Sequence, residues 1–77
     1  MHFEINAIPA CGWCRRAKEA VSNLEGSTHA YVVRDKSWFR NRGFTTAPQI
    51  FVREGSDFSL YKHIGGYDDL VAYLKSL

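Results

Sequence analysis

The stretch Cys11-Gly12-Trp13-Cys14 contains both cysteines of this 77-residue chain, with two residues between them. Closing so short a loop removes little entropy from the unfolded chain, so a disulfide here would contribute little to stability. A Cys-x-x-Cys pair of this kind is typical of a redox-active dithiol or of half a metal site. The pair therefore indicates a redox or metal-binding function. Its position between a predicted strand and a predicted helix is the starting point for predicting the fold.

The hydrophobic period changes on the two sides of the pair. Residues His2–Ile8 alternate apolar and polar side chains, which predicts a short strand ending before Pro9. From Gly12 to Leu24 the apolar residues recur with the spacing of one helix face. Cys11 is therefore expected at the N-terminal edge of this helix, and Cys14 within its first turn.

The next two elements complete a strand–helix–strand unit. Thr28–Val33 is rich in β-branched and aromatic residues and predicts a second strand, parallel to the first. A short helix capped by Asp35 or Ser37 follows and runs to about Arg42. Its aromatic pair, Trp38-Phe39, is expected to pack into the core.

The last third of the chain predicts a hairpin and a closing helix. Gln49–Arg53 is expected to form the third strand, residues 54–57 a turn, and Phe58–Ile64 the fourth strand. Tyr67–Leu77 predicts a helix whose apolar face consists of Leu70, Val71, Leu74 and Leu77. The element order β-α-β-α-β-β-α, with the cysteines at the first strand–helix junction, is that of the thioredoxin fold: one α/β domain over residues 1–77, with a four-stranded mixed sheet and three flanking helices.

Composition excludes several classes of function. The net charge of +2 is too small to indicate nucleic-acid binding. No signal-peptide pattern opens the chain, and no apolar run has the length of a membrane span. We therefore expect a cytoplasmic protein, without nucleic-acid or membrane partners, whose cysteines are kept reduced.

Three separated segments resemble the glutaredoxin family. Cys11-Gly12-Trp13-Cys14, followed by Arg15-Arg16-Ala17-Lys18, is similar to the family's Cys-Pro-Tyr-Cys-x-x-Ala-Lys. Thr46-Ala47-Pro48-Gln49-Ile50-Phe51 resembles its Thr-Val-Pro-Gln-Ile-Phe, and Ile64-Gly65-Gly66-Tyr67-Asp68-Asp69 resembles its Ile-Gly-Gly-x-x-Asp. The three occur in the family's order over nearly the whole chain, which implies a glutathione-dependent thiol–disulfide oxidoreductase of the dithiol type.

The helix position gives the two cysteines different roles. Disulfide exchange requires a thiolate, and the unpaired N–H groups and positive dipole at a helix N-terminus favour that form at Cys11. Cys14, one turn into the helix, is less favoured as a thiolate and less exposed. We therefore predict that Cys11 is the nucleophile and that Cys14 is the resolving thiol.

The resemblance also implies a glutathione site. It implies a cis peptide bond before Pro48, which leaves the Ala47 backbone open to pair with the cysteinyl part of glutathione. It implies that the N–H groups of Asp68 and Asp69 bind the γ-glutamyl carboxylate, with an Asp side chain near the ammonium. The residues expected to contact glutathione are Trp13, Thr46, Ala47, Pro48, Gly66, Tyr67, Asp68 and Asp69.

The sequence departs from the family pattern at three positions. Gly12 replaces the usual proline and Trp13 the usual tyrosine, and Ile8 stands where many members carry a Lys or Arg for the glycyl carboxylate of glutathione. Arg40 or Arg42 of the second helix are the alternative cations for that group.

Several alternatives stay open on sequence alone. A glutathione-independent redoxin, recycled by a flavoprotein reductase, fits the absence of a basic residue at Ile8. A [2Fe-2S] cluster held between two protomers fits the small residue Gly12, although the complete dithiol favours redox catalysis without a tightly bound cofactor. The three histidines are too dispersed for a zinc site, so no metal ligands are predicted. We expect a monomer that reduces protein disulfides and glutathione mixed disulfides. Its expected roles are electron transport and cell redox homeostasis, with ribonucleotide reductase as one candidate acceptor.

Overall fold

The computed structural model describes residues 1–55 and 60–77. Their elements follow the expected order: β1 (His2–Ala7), α1 (Gly12–Ser22), β2 (Thr28–Val33), α2 (Lys36–Asn41), β3 (Gln49–Arg53), β4 (Lys62–Gly65) and α3 (Tyr67–Lys75). Within these residues, no helix has both the length and the apolar character needed to cross a membrane.

The four strands form one mixed sheet in the order β2-β1-β3-β4. β1 pairs in parallel with β2 and antiparallel with β3, and β4 pairs antiparallel with β3. The strand–helix–strand unit and the hairpin are both confirmed. The chain therefore has the thioredoxin fold, in which the loop after β1 places the cysteines at the carboxyl end of this inner strand.

The core lies between one face of the sheet and the helices α1 and α3. Its buried members are Phe3, Ile5, Ala17, Val21, Ile50, Val52 and Leu70. Burial of this apolar surface, at about 25 cal/mol per Å², is the main force that holds the two helices on the sheet. The predicted apolar face of α1 is confirmed, because Ala20 and Leu24 also pack against this cluster.

Side chains that alternate with the core residues point to the opposite face. Phe51 contacts Phe44 and His63 there, with ring centroids 6.2 Å and 4.9 Å away. Asn6 is fully buried; its amide donates to the backbone oxygen of Gln49 at 3.1 Å, and its Oδ1 accepts from Arg34 Nε at 2.9 Å. These contacts tie the strand that precedes the cysteines to the start of β3.

The prediction that Trp38 packs into the core is wrong. Phe39 is buried, but Trp38 is only half-buried, and the guanidinium groups of Arg34 and Arg42 lie 4.8 Å and 4.1 Å from its ring centroid. Cation–π contacts of this kind stabilise an aromatic ring at the surface. Helical spacing alone does not distinguish this arrangement from core packing.

Several predicted boundaries also differ. The elements β1, α1 and α2 end one or two residues earlier than predicted, at Ala7, Ser22 and Asn41. β4 begins at Lys62, because Leu60 and Tyr61 lie outside the ladder with β3; the remaining part of the predicted turn and strand, residues 56–59, lies outside the described residues. α3 ends at Lys75, and Leu77 is exposed instead of completing the apolar face. Terminal residues have few neighbours to bury them, so the last apolar position of the pattern gains little by continuing the helix.

Candidate functional site

Cys11 and Cys14 form a disulfide at the start of α1, with their Cα atoms 5.2 Å apart. Cys11 is the N-cap residue and is partly exposed, whereas Cys14 is fully buried. The expected difference in exposure between the two sulfurs is therefore confirmed. An attacking thiol from another molecule can reach Cys11, and the helix itself covers Cys14.

The backbone of α1 is directed at the sulfur of Cys11. The N–H of Cys14 donates to Cys11 Sγ at 3.1 Å, so sulfur takes the place that an oxygen occupies in an ordinary N-cap. The same N–H and the positive end of the helix dipole favour a thiolate at Cys11 once the disulfide is reduced. The preceding residue, Ala10, has a φ of 55°, which is uncommon outside glycine and turns the chain into the cap.

Trp13 extends from the cysteine loop to the last helix. Its ring is 54% exposed and lies 5.4 Å from the ring of Tyr67, the first residue of α3. The guanidinium of Arg16 lies 4.8 Å from the Trp13 ring centroid. Trp13 is therefore a wall of the site and not a core residue, as predicted.

The second wall is the segment before β3. The peptide bond between Ala47 and Pro48 is cis, as the resemblance implies. Pro48 is buried, and its carbonyl oxygen lies so close to Gly66 that a Cβ at residue 66 would be 3.7 Å from it. The loops that precede β3 and α3 are thus in contact.

Gln49 holds this segment in place and was not predicted to have a role at the site. Its Nε2 donates to the carbonyl oxygen of Thr46 at 3.0 Å and lies 3.2 Å from the Thr46 hydroxyl, while its Oε1 lies 2.8 Å from Nε2 of His63. The side chain is nearly fully buried. Its position next to Pro48 in a recognised motif was the only signal in the sequence.

The start of α3 forms the third wall. Gly65 has a φ of 124°, and a Cβ there would overlap the carboxylate of Asp69. Glycine is therefore required at position 65 both for its conformation and for space. Asp69 Oδ2 accepts from the N–H of Gly66 at 3.0 Å. Both Asp68 and Asp69 are exposed, and within the described residues the Asp68 carboxylate has no hydrogen bond.

These three walls enclose a cavity of about 270 Å³. It is lined by the residues predicted to contact glutathione: Trp13, Thr46, Ala47, Pro48, Gly66, Tyr67, Asp68 and Asp69. Three segments far apart in sequence therefore meet at one place beside the disulfide. What occupies the cavity stays a prediction.

The candidate cations of α2 differ in position. Arg42 donates to the backbone oxygen of Trp38 at 3.3 Å and stacks on its ring, so it turns back onto its own helix. Arg40 lines a second cavity together with Ile8, Thr46 and Ala47. Of the two arginines, only Arg40 thus lies near the predicted groove. In residues 1–55 and 60–77, no three His, Cys, Asp or Glu side chains come together as a metal site would require.

Two solved structures are similar to this chain over almost its whole length. Reduced glutaredoxin from Escherichia coli shares 28% identity with a TM-score of 0.65, covering 99% of this chain and 95% of that one. Glutaredoxin from Brucella melitensis shares 30% identity with a TM-score of 0.60, covering 99% of this chain and 80% of that one. No protein-family model matches the sequence, and neither does any curated protein sequence.

The residues around the Cys11–Cys14 pair support the same family as the fold does. A partly exposed Cys11 caps a helix, a buried Cys14 lies one turn behind it, and Trp13 between them lines the same cavity as the cis-proline segment. With 30% identity over four fifths of the Brucella protein, the sequence supports the same assignment. The chain belongs to the glutaredoxin family of thiol–disulfide oxidoreductases.

Proposed function

We propose that the chain is a glutathione-dependent glutaredoxin that reduces protein disulfides and glutathione mixed disulfides. The observation that carries the proposal is the cavity that Trp13, the Thr46–Pro48 segment and the Gly66–Asp69 turn form beside Cys11. Its lining includes the Ala47 backbone, the ring of Trp13 and the N-terminus of α3. A γ-glutamyl-cysteinyl peptide has a backbone, a side chain and a carboxylate that can contact these three features.

The steps follow from the exposure of the two sulfurs. The Cys11 thiolate attacks a substrate disulfide, forms a mixed disulfide with one half and releases the other half as a thiol. For a protein disulfide, Cys14 loses its proton and attacks Cys11 Sγ, which releases the reduced protein and closes the internal disulfide. Two glutathione molecules then reduce that disulfide and leave as glutathione disulfide.

Glutathione fits the cavity through three kinds of contact. Its cysteinyl backbone pairs with that of Ala47, beside the cis bond to Pro48. Its γ-glutamyl carboxylate accepts from N–H groups at the start of α3, where the dipole favours an anion. Its ammonium group lies near Asp68, since the Asp69 carboxylate already accepts from Gly66.

The proposal includes a place in the cell and a set of partners. Such a reaction belongs in a reducing cytoplasm, where glutathione supplies electrons and the chain serves redox homeostasis as a monomer without a bound cofactor. Ribonucleotide reductase is one candidate electron acceptor among disulfide-containing proteins. A Cys14→Ser variant cannot resolve its mixed disulfides with protein substrates. Identifying the proteins bound to it in the cytoplasm would therefore identify the acceptors.

A glutathione-coupled disulfide reduction assay on three proteins tests the proposal. The wild type is expected to turn over, and Cys11→Ser is expected to be inactive. Cys14→Ser should keep activity on small glutathione mixed disulfides but lose reduction of protein disulfides. A wild-type protein that is reduced by a thioredoxin-type reductase but not by glutathione would contradict glutathione dependence.

Ile8 favours one second candidate, a redoxin recycled by a flavoprotein reductase. It is 38% exposed at the position where a cation for the glycyl carboxylate is expected, so one contact to glutathione is missing. Ile8→Lys distinguishes the two proposals. It should lower the KM for glutathione if glutathione is the reductant, and it should not improve turnover if a flavoprotein is.

A further inference from the structure

His63 of β4 contacts a residue that holds one wall of the proposed glutathione groove. Its Nε2 lies 2.8 Å from Oε1 of Gln49. Nε2 of Gln49 in turn lies 3.0 Å from the carbonyl oxygen of Thr46 and 3.2 Å from its hydroxyl. Thr46 is among the residues that line the groove, and His63 and Gln49 are not. The contacts therefore run from β4 to the groove wall through one buried amide.

A shift in the ladder between β3 and β4 brings His63 to the face of the sheet opposite the core. Ile50 is opposite Gly65, but the next residue of β3, Phe51, is opposite His63. A regular antiparallel ladder would place Ile64 there and would turn His63 toward the core. The extra residue in β4 instead redirects the imidazole, as bulges beside reaction sites commonly do.

Two aromatic rings hold the imidazole of His63 in place. The ring of Phe44 stacks on it with centroids 5.0 Å apart and planes at 28°, and the ring of Phe51 lies 4.9 Å away. The residue is exposed, so the core does not depend on it. An aromatic ring without nitrogen could keep these contacts, but it would lose the contact with Gln49.

The groups around Gln49 determine which way its amide points. The carbonyl oxygen of Thr46 can only accept, so the Gln49 atom beside it must be the amide nitrogen. The amide oxygen then faces His63 and can also only accept. Nε2 of His63 therefore carries a hydrogen and donates it. Without this donor the buried oxygen would lose its partner, and the amide would lose a contact that favours the orientation bonded to Thr46.

We propose that His63 is a positioning residue for thiol–disulfide exchange. Through the Gln49 amide it holds the segment 46–48 in the conformation that pairs with the backbone of a cysteinyl substrate. It acts on substrate binding and not on the sulfurs, because its contacts lead to the groove wall. The proposal rests on the part of the proposed function in which a substrate backbone pairs with Ala47, and it does not require that the substrate be glutathione.

Single-turnover kinetics with pre-reduced protein test this role without glutathione. The substrate is the disulfide-linked dimer of the peptide acetyl-Ala-Cys-Ala-amide. The comparison is 2-hydroxyethyl disulfide, which has no peptide backbone to pair with the segment. In both reactions the protein supplies two electrons and two protons, the substrate leaves as two thiols, and the protein ends as the Cys11–Cys14 disulfide.

His63→Phe keeps an aromatic ring and removes the donor. It should raise the half-saturating concentration of the peptide dimer about fivefold, the scale of one hydrogen bond, without changing the maximal rate. The rate with 2-hydroxyethyl disulfide should not change. Melting temperatures of the variants report any effect on folding separately.

Three further variants separate positioning from packing. His63→Gln places an amide nitrogen within reach of the same acceptor and should restore wild-type behaviour. His29→Phe makes the equivalent substitution on β2, the other edge of the sheet, and should affect neither substrate. Gln49→Met removes the amide, so His63→Phe added to it should cause no further change.

The ring nitrogens of His63 give an independent readout in the wild-type protein. Nitrogen-15 chemical shifts distinguish the two neutral tautomers of an imidazole. At alkaline pH, where an ordinary imidazole is neutral, the hydrogen should be on Nε2. A neutral ring with its hydrogen on Nδ1 would overturn the proposal.

The kinetics can also overturn it. An unchanged half-saturating concentration in His63→Phe, an equal loss with both disulfides, or a loss that persists in the Gln49→Met background would each do so. Failure of the proposed function would look different. Glutathione would then not recycle the oxidised protein, while the single-turnover results with the peptide dimer would be unaffected.

Discussion

The rings of Trp13 and Tyr67 lie 5.4 Å apart, so the residue between the two cysteines contacts the first residue of the last helix. This contact closes one side of the proposed glutathione groove. An offset or tilted aromatic pair contributes about 1 kcal/mol beyond its buried area. The contact joins α1, which begins at the reactive pair, to the first residue of α3.

Trp13→Ala should raise the KM for a glutathione mixed disulfide about fivefold, the equivalent of about 1 kcal/mol. The reason is the loss of both the ring that covers the substrate and its contact with Tyr67. Steady-state kinetics of the variant and the wild type measure this change in KM. Trp38→Phe is the matched control, since Trp38 lies on α2 between two arginines; an equal loss in that variant would contradict a specific role for Trp13.

Gln49→Glu should weaken substrate binding without altering the cysteines. It keeps an acceptor for His63 but loses the two donors to Thr46, at 3.0 Å and 3.2 Å, that orient the segment before Pro48. A buried group left without its partner costs about 1–3 kcal/mol, so a lower melting temperature is also expected. Kinetics should show the effect in KM and not in the rate of Cys11 alkylation; an unchanged KM would remove Gln49 from the site.

Asp35 should make stability depend on acidic pH. The backbone N–H of Trp38 and then the Ser37 hydroxyl donate to it and lower the pKa of its carboxyl below 3.8. Because the folded pKa is the lower one, this stabilisation is present above the ordinary value and is lost as the pH falls through the folded pKa. Melting temperatures between pH 2 and 7 measure this loss of stability. Asp35→Asn keeps an N-cap acceptor without a charge and should flatten that part of the profile.

Tyr73 should titrate at a higher pH than an ordinary tyrosine. Burial, followed by the hydrogen bond to and the charge of Glu54, raises the pKa of Tyr73 to about 12 from 10.0. The folded pKa is the higher one, so this stabilisation is complete below pH 10 and is lost as the pH rises through 12. Ultraviolet titration should show a late tyrosine component, which Tyr73→Phe removes. A late component that persists in the variant would assign it to another tyrosine.

The local pattern of the chain was enough for most of the fold. β2 and β3 have the predicted bounds, and α1 begins at Gly12 as expected, because each has a clear hydrophobic period and a residue that stops it. The end of the hairpin was less well predicted, since β4 begins only at Lys62. Strand pairing depends on a partner, which the period of one segment does not reveal.

Burial was harder to predict than secondary structure. Trp38 and Phe39 are neighbours on one short helix, yet only Phe39 is buried. Trp38 instead contacts the guanidinium groups of Arg34 and Arg42. Both arginines are four residues from Trp38, and this spacing does not say whether the ring contacts them or the core.

The sequence by itself determined the reactive pair and its asymmetry, because a cysteine at a helix N-terminus and another one turn later differ in exposure through local geometry alone. It also named the segments that would surround them. Only the tertiary structure decided that Trp13, Ala47 and Asp68 line one cavity, and that Ile8 and Arg40 line another beside it. The reason is physical: a cavity is formed by segments that packing of the core brings together, and its shape exists only when all of them are in place.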